Sequence, residues 1–424
     1  MKVLLVGGGG REHALAWAMS KSPKLTKLYA APGNAGIADC AECLAIGAED
    51  LNAICAAVQE LEIEFVVVGP EAPLVAGLAD RIEAMGVPVF GPSAAAAEIE
   101  GSKGMMKDLL AKYGIPTADY QRFDEPDAAK EYIRIKNHPV VVKADGLAAG
   151  KGVILSHTIN EAYAAVDQIM IEEAFGDAGT EIVIEEFLVG EEASFFALCD
   201  GTRAIALAGA QDHKQVHDGD HGPNTGGMGA YTPAPVLDDA MQKRIMDEII
   251  TPTVEAMAKE GKPYKGVLFA GLMIGADGPK VIEFNARFGD PECQPIMARL
   301  KSDALEMLLA AARGELDKIK LDWDPRAALT VVMAAEGYPG QYTKGSEIKG
   351  VADADALDGV TVFHAGTVLG DDGALLANGG RVLGVTALGK TVEDAQKLAY
   401  RAVDAIDWPK GFCRRDIGWR AVGR

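Results

Sequence analysis

Positive charge is what this chain has too little of: 41 lysines and arginines face 62 aspartates and glutamates, a formal net charge of −21. That balance speaks against a general binder of nucleic acid or of an anionic membrane, since both need a basic footprint. A small anionic substrate stays open, because a few cations can dominate one cleft. Long apolar runs are missing as well, and none is long enough to span a membrane. The N-terminal run Val3–Val6 is cut off by four glycines and Arg11-Glu12-His13, too short for a secretion signal, so a cytoplasmic protein is expected. Cysteine is sparse. Cys40, Cys43, Cys55, Cys199, Cys293 and Cys413 are scattered and do not read as a disulfide framework. Cys40 and Cys43 have the spacing of a redox or zinc pair, but no second pair accompanies them. Internal repeats and low-complexity linkers are absent too.

What is present is an ordinary globular composition, 49% hydrophobic and 24% charged, over 424 residues, which implies two to four domains. Near the N-terminus, apolar runs at Lys2–Val6, around Leu28–Ala30, at Phe65–Val68 and at Val87–Phe90 each end in a Gly/Pro turn. Most are separated by helical segments, so a doubly wound parallel sheet of about 100 residues is expected, with ligands at its carboxyl ends. Further on, Val140–Lys143 reads as a strand, and Ile182–Phe187 and Ala193–Leu198 as paired strands. A long loop is expected over roughly 212–235 and a helix over about 295–312. From about Ala327 the chain reads as a separate small α+β unit.

Two phosphate motifs fail. Gly7–Gly10 lacks the third glycine of a dinucleotide fingerprint, and no acidic residue ends the second strand, so NAD or FAD is not expected. A glycine turn at a helix N-terminus remains, with Arg11 beside it, suited to some other phosphate. A tight turn would explain the glycines but not an exposed arginine. Gly146–Gly152 resembles a Walker loop but has three residues between its glycines, and Gly152 replaces the Ser/Thr. A glycine hairpin folding over nucleotide phosphates stays plausible there. Lys103 and Lys143 stand beside glycine turns, in keeping with a nucleotide site. His213, His217 and His221 recur at four-residue spacing, but glycines and a proline interrupt the segment, which argues against a zinc cluster.

The richest stretch is Val281–Glu292. In a strand, Glu283 and Asn285 share a face and offer hard oxygen ligands to magnesium, with Arg287 following for a carboxylate or phosphoryl group. A polar strand face ending in an Asp-Pro turn is the competing reading. On these residues alone both stand.

Four motifs in order, Val6–Ala14, Val142–Gly152, Gly222–Tyr231 and Glu283–Glu292, resemble the phosphoribosylamine–glycine ligase (glycinamide ribonucleotide synthetase) family of the ATP-grasp superfamily. The resemblance runs essentially end to end. It implies an α/β and α+β multidomain chain: a Rossmann-like domain at 1–102, an ATP-grasp domain at 103–325 with a lid at about 120–191, and a C-terminal α+β domain at 326–424. It further implies ATP-dependent joining of glycine to 5-phospho-β-D-ribosylamine through glycyl phosphate, in purine biosynthesis, by a monomer using Mg2+, with Mn2+ able to substitute. Glu283 and Asn285 would hold metal, and Arg287, Lys143 and Asp290 would be catalytic. Lys103, Lys143, the hinge Glu185, Glu186, Phe187 and Leu188, and Glu192 would bind nucleotide. Gly9, Gly10, Arg11, Asn34, Glu71, Asp212, Asn224, Thr225, Gly226 and Arg287 would line the substrate side.

Gln215 departs from the family pattern, where a basic residue is usual; Leu268–Met273 lacks the carboxylate that many relatives of the wider fold place on this strand, so no third side-chain metal ligand comes from it. Another ATP-grasp ligase, a non-catalytic nucleotide-binding protein and a dinucleotide oxidoreductase are the alternatives. Arg11 with Asn224–Tyr231, the full set Lys143, Glu283, Asn285 and Arg287, and the failed fingerprint argue against them in turn.

Overall fold

The computed structural model describes every residue except 137, 138, 147–151, 173 and 175. The glycine hairpin expected over the nucleotide falls largely outside the described residues.

Strands β1 (Lys2–Gly7), β2 (Lys27–Pro32), β3 (Glu42–Cys43), β4 (Phe65–Val68) and β5 (Val89–Phe90) form a parallel sheet in the order β3-β2-β1-β4-β5. Val3–Val6 and Phe65–Val68 are buried throughout, as befits central strands covered on both faces. The strand order reverses beside β1, and the carboxyl ends there bring Gly7–Gly10, the Asn34 loop and Glu71 to one rim.

β6 (Tyr120–Phe123), β7 (Val140–Ala144), β8 (Val153–Ser156) and β9 (Ile182–Glu186) make a small antiparallel sheet, ordered β6-β9-β7-β8. It has its own apolar cluster around Ile133, Val142, Ile169 and Ile184. β10 (Glu191–Asp200) and β11 (Ala204–Asp212) belong to a larger sheet, so β9 and β10 do not pair as expected. The break is physical: residues 187–190 leave one sheet for the other, with Val189 projecting into solvent.

The region expected as one loop holds a hairpin, β12 (Gln215–His217) and β13 (His221–Asn224), and then β14 (Gly229–Thr232). Asp220 and Gly219 take positive φ at the hairpin turn, which allows the reversal. β15 (Lys265–Gly275) and β16 (Gly278–Asn285) complete one side of the large sheet. β17 (Ala327–Ala335) pairs with β14, and β21 (Arg381–Gly389) lies between β17 and β18 (Val360–His364); β19 (Thr367–Leu369) and β20 (Leu375–Ala377) form a hairpin, and β22 (Gly411–Phe412) pairs with β17. The large sheet therefore continues past residue 326. The C-terminal residues still carry an apolar cluster of their own, into which Met228 and Tyr231 reach.

The single helix expected over 295–312 is two, Cys293–Arg299 and Ala304–Arg313. Leu300 leaves the helical region and bridges to Trp323, and Asp303 restarts the helix by accepting from the Glu306 amide (3.0 Å).

Candidate active site

β16 carries the richest stretch to the cleft floor. Glu283 pairs with Gly271 and Asn285 with Phe269 on β15, while Val281 pairs with Leu272, so an irregularity at Ile282 resets the strand. Gly271 suits that place, because a Cβ there would sit 3.2 Å from Glu283 Cγ. Burial works against the Glu283 charge, but Lys214, Lys143, Lys103 and Arg287 outweigh it and hold the carboxyl below its ordinary value. Asn285 is buried, and its amide nitrogen has no hydrogen-bond partner among the described residues. The Glu283 carboxylate and the Asn285 amide oxygen, on one strand end, are hard oxygen donors that fit a divalent cation, whereas the unpartnered amide nitrogen offers it no lone pair.

The lysines reach this floor from different elements. Ser102 caps the helix Lys103–Tyr113, accepting from the Met105 amide (3.0 Å), and so places Lys103 in its first turn. Lys103 donates to the Gly146 carbonyl (3.1 Å), where burial lowers its pKa. Lys143, on β7, pairs with Glu185 (2.8 Å) and donates to the Ile282 carbonyl (3.1 Å). The Glu185 side chain is thus committed inside the protein. The expected hinge residues Phe187 and Leu188 line a cleft of about 560 Å³ with Ile274, Gly275 and Lys280. Glu186 pairs with Lys280 (3.0 Å), and Glu192 with Lys214 (2.6 Å).

Arg287 ties this end to the parallel sheet. Its guanidinium pairs with Glu71 (3.2 Å) and Glu100 (3.0 Å), and Glu100 also accepts from the Ala286 amide (2.6 Å). Burial pushes Glu100 up to about 6, while Arg287 and Arg11 hold Glu71 down against its burial. Arg11 is not the exposed arginine expected: it is buried, paired with Glu12 (2.5 Å) and donating to the Phe288 carbonyl (3.1 Å). The glycines beside it are required by close approach. A Cβ on Gly8 would lie 2.4 Å from the Gly33 carbonyl oxygen, and one on Gly10 would lie 2.6 Å from Gln294 Nε2. The Asn34 amide is fully engaged within the protein. It donates to the Gly8 (2.9 Å) and His364 (2.8 Å) carbonyls and accepts from the Gly36 and Ile37 amides.

Asp290 stands at the same rim, 3.4 Å from where a Gly9 Cβ would be, accepting from Gln294 (2.9 Å). Arg381, from β21, pairs with its carboxylate (3.5 Å) and donates to the carbonyls of Asp290 (2.6 Å) and Gly226 (2.8 Å). One C-terminal side chain therefore fastens the 222–228 segment to the 289–292 turn. Thr225 accepts from the Gly227 amide (2.9 Å) and donates to the Lys214 carbonyl (2.8 Å), while Asn224 pairs with Gln215 across the hairpin. Asp212 is pushed up to about 7 by burial and by the Glu292 and Glu192 carboxylates, against Lys214. His213 is buried and accepts from the Gly418 amide (2.9 Å), and Asp220 pairs with Arg414 and Arg420. The histidine segment is thus pinned to the C-terminal tail.

Three domain models of one family match the chain in succession: the N domain of phosphoribosylglycinamide synthetase over residues 1–100, its ATP-grasp (A) domain over 101–293 and its C domain over 328–420. The chain belongs to the phosphoribosylglycinamide synthetase family. Full-length relatives agree. The phosphoribosylamine–glycine ligase of Agrobacterium fabrum is 59% identical over 100% of this chain and 99% of its own, and that of Escherichia coli K12 is 56% identical with the same coverage. The crystal structure of the Thermotoga maritima phosphoribosylamine–glycine ligase superposes with a TM-score of 0.87 at 33% identity, covering 98% of this chain and all of that one. A biotin carboxylase domain from Hydrogenobacter thermophilus, solved with MgADP and bicarbonate, shares the fold at 16% identity with a TM-score of 0.73, over 97% of this chain and 91% of that one. Members of the synthetase family are ATP-grasp ligases, and this chain has that fold: a parallel N-terminal sheet, a central ATP-grasp domain and a C-terminal domain.

Several residues of this synthetase site escape sequence reasoning. Lys107 follows Lys103 by four positions, one helical turn, and that spacing was a usable signal. Lys214 lies between Asp212 and His217, in the same segment as the three histidines. Glu100 and Arg381 had no local signal, because their partners lie 186 and 91 residues away.

Proposed function

We propose that this cleft phosphorylates the glycine carboxylate with ATP and passes the glycyl group to the amine of 5-phospho-β-D-ribosylamine. The products are 5′-phosphoribosylglycinamide, ADP and phosphate. The observation that carries the reading is the place of Arg287: it follows Glu283 and Asn285 on the nucleotide side, yet its guanidinium is held by Glu71 at the rim of the parallel sheet. One cation thus joins the two halves of the cleft where an acyl phosphate would form.

In this scheme Lys103 and Lys143 balance nucleotide phosphates, and backbone groups at 185–188 take the base, with Glu192 at the ribose. Glu283 and Asn285 would hold Mg2+, or Mn2+ in its place, whose charge neutralises the transferring phosphoryl group when bound. Arg287 stabilises the acyl phosphate and the transition states on either side of it. Gly9, Gly10, Arg11 and Glu71 present the rim to the ribosylamine. Arg11 acts there through its position rather than as a free charge, since Glu12 occupies it. Asp290, with Asp212 and residues 224–226, faces the reacting amine. Asn34 shapes the rim by bracing its loop. No described helix is long and apolar enough to cross a membrane.

Coupled detection of ADP, with each substrate omitted in turn, tests the reading. ADP release is expected to require both glycine and ribosylamine, the latter generated in situ from ribose 5-phosphate and ammonia. Equal ADP formation without glycine would overturn it.

A further inference from the structure

Lys107 is fully buried, and no step above uses it. Its ammonium lies 2.8 Å from one oxygen of Glu185, and Lys143 lies 2.8 Å from the other. Lys107 also donates to Thr117 Oγ1 (2.7 Å), which in turn donates to the Val281 carbonyl (2.7 Å), one residue before the Ile282 carbonyl that Lys143 uses. Two lysines therefore share one carboxylate, and at 0%, 2% and 3% side-chain exposure all three groups are shielded from water.

The charge count matters. A Lys143–Glu185 pair alone would be neutral, and turning Lys143 toward a phosphate would strip a buried carboxylate of its partner. With Lys107 present, the cluster carries a net charge of +1 and the carboxylate keeps a partner wherever Lys143 points. We propose that Lys107 is a positioning residue for nucleotide binding: it neutralises Glu185, so that the charge of Lys143 is available to the nucleotide phosphates. The inference rests on the nucleotide reading of the cleft and goes beyond it, because Lys107 itself touches no ligand.

The test is charge rescue, read by calorimetric binding of MgADP to the full chain, with KM for glycine measured alongside. Lys107→Met is expected to weaken MgADP by about tenfold or more and to leave the glycine KM unchanged. Adding Glu185→Gln removes the carboxylate that the lysine offset, and should return affinity to within about threefold of wild type. A purely structural loss would lower the number of binding sites per chain in the calorimeter and leave the dissociation constant of the folded fraction unchanged. The double variant buries neither charge and decides the matter if the single variant fails to fold. Wild-type affinity in folded Lys107→Met, or a folded double variant that stays outside the threefold window, would overturn the proposal. Because the readout is binding, it is independent of the reaction: ADP release without glycine would overturn the proposed ligation and leave this comparison intact.

Discussion

Arg287→Met is expected to lower kcat by roughly 10²–10³-fold, the usual cost of removing one preorganised donor from a developing oxyanion. The guanidinium is held on two sides, by Glu71 and by Glu100, so its direction is set before substrate arrives. That preorganisation is what a flexible cation would lack. The same ion pairs mean that methionine leaves the buried Glu100 and the half-buried Glu71 without this partner, and a fall in melting temperature should accompany the loss. Arg287→Lys separates the two effects. It keeps the charge but cannot pair with both carboxylates in the same fork, so stability should largely return while kcat stays low. Steady-state kinetics beside thermal unfolding decide it: a folded Arg287→Met enzyme with wild-type kcat would remove Arg287 from the chemistry.

Glu283→Gln should lower turnover by about 10²-fold and shift the magnesium requirement to higher concentration. The substitution keeps the shape and removes the charge on which Lys214, Lys143, Lys103 and Arg287 converge. Those four cations then lose their common counter-charge, so nucleotide phosphates would be held without a properly placed metal. The magnesium titration is the informative axis. Activity matching wild type at limiting magnesium would show that Glu283 is not the ligand.

Four strands of the parallel sheet were readable because each is a short apolar run closed by a Gly/Pro turn, a local signal; the exposed two-residue edge strand β3 carries no such run. The β16 stretch was readable because strand alternation puts Glu283 and Asn285 on one face, and even the irregularity at Ile282 leaves that pair in step. What failed were questions of partnership. Ile182–Phe187 and Ala193–Leu198 look alike as isolated strands, and nothing local says that residues 187–190 carry the chain between two sheets. Arg11 reads as an exposed cation beside glycines, but Glu12 and the distant Phe288 carbonyl take it inward. Asn34 is placed at the rim by the family resemblance alone, and its four hydrogen bonds, which brace its own loop against Gly8 and His364, have no local sequence signal. Arg381 could not be seen at all, since its role exists only once β21 is laid beside β17 in the large sheet.

In the proposed reaction the glycine carboxylate attacks phosphorus in this cleft before the amine attacks carbon. Glycine labelled with ¹⁸O in both carboxylate oxygens tests it directly. The oxygen that takes the phosphoryl group must leave with phosphate when the amide forms, so one ¹⁸O is expected in each released phosphate and the other in the product amide. Phosphate free of label, with the amide still formed, would contradict it.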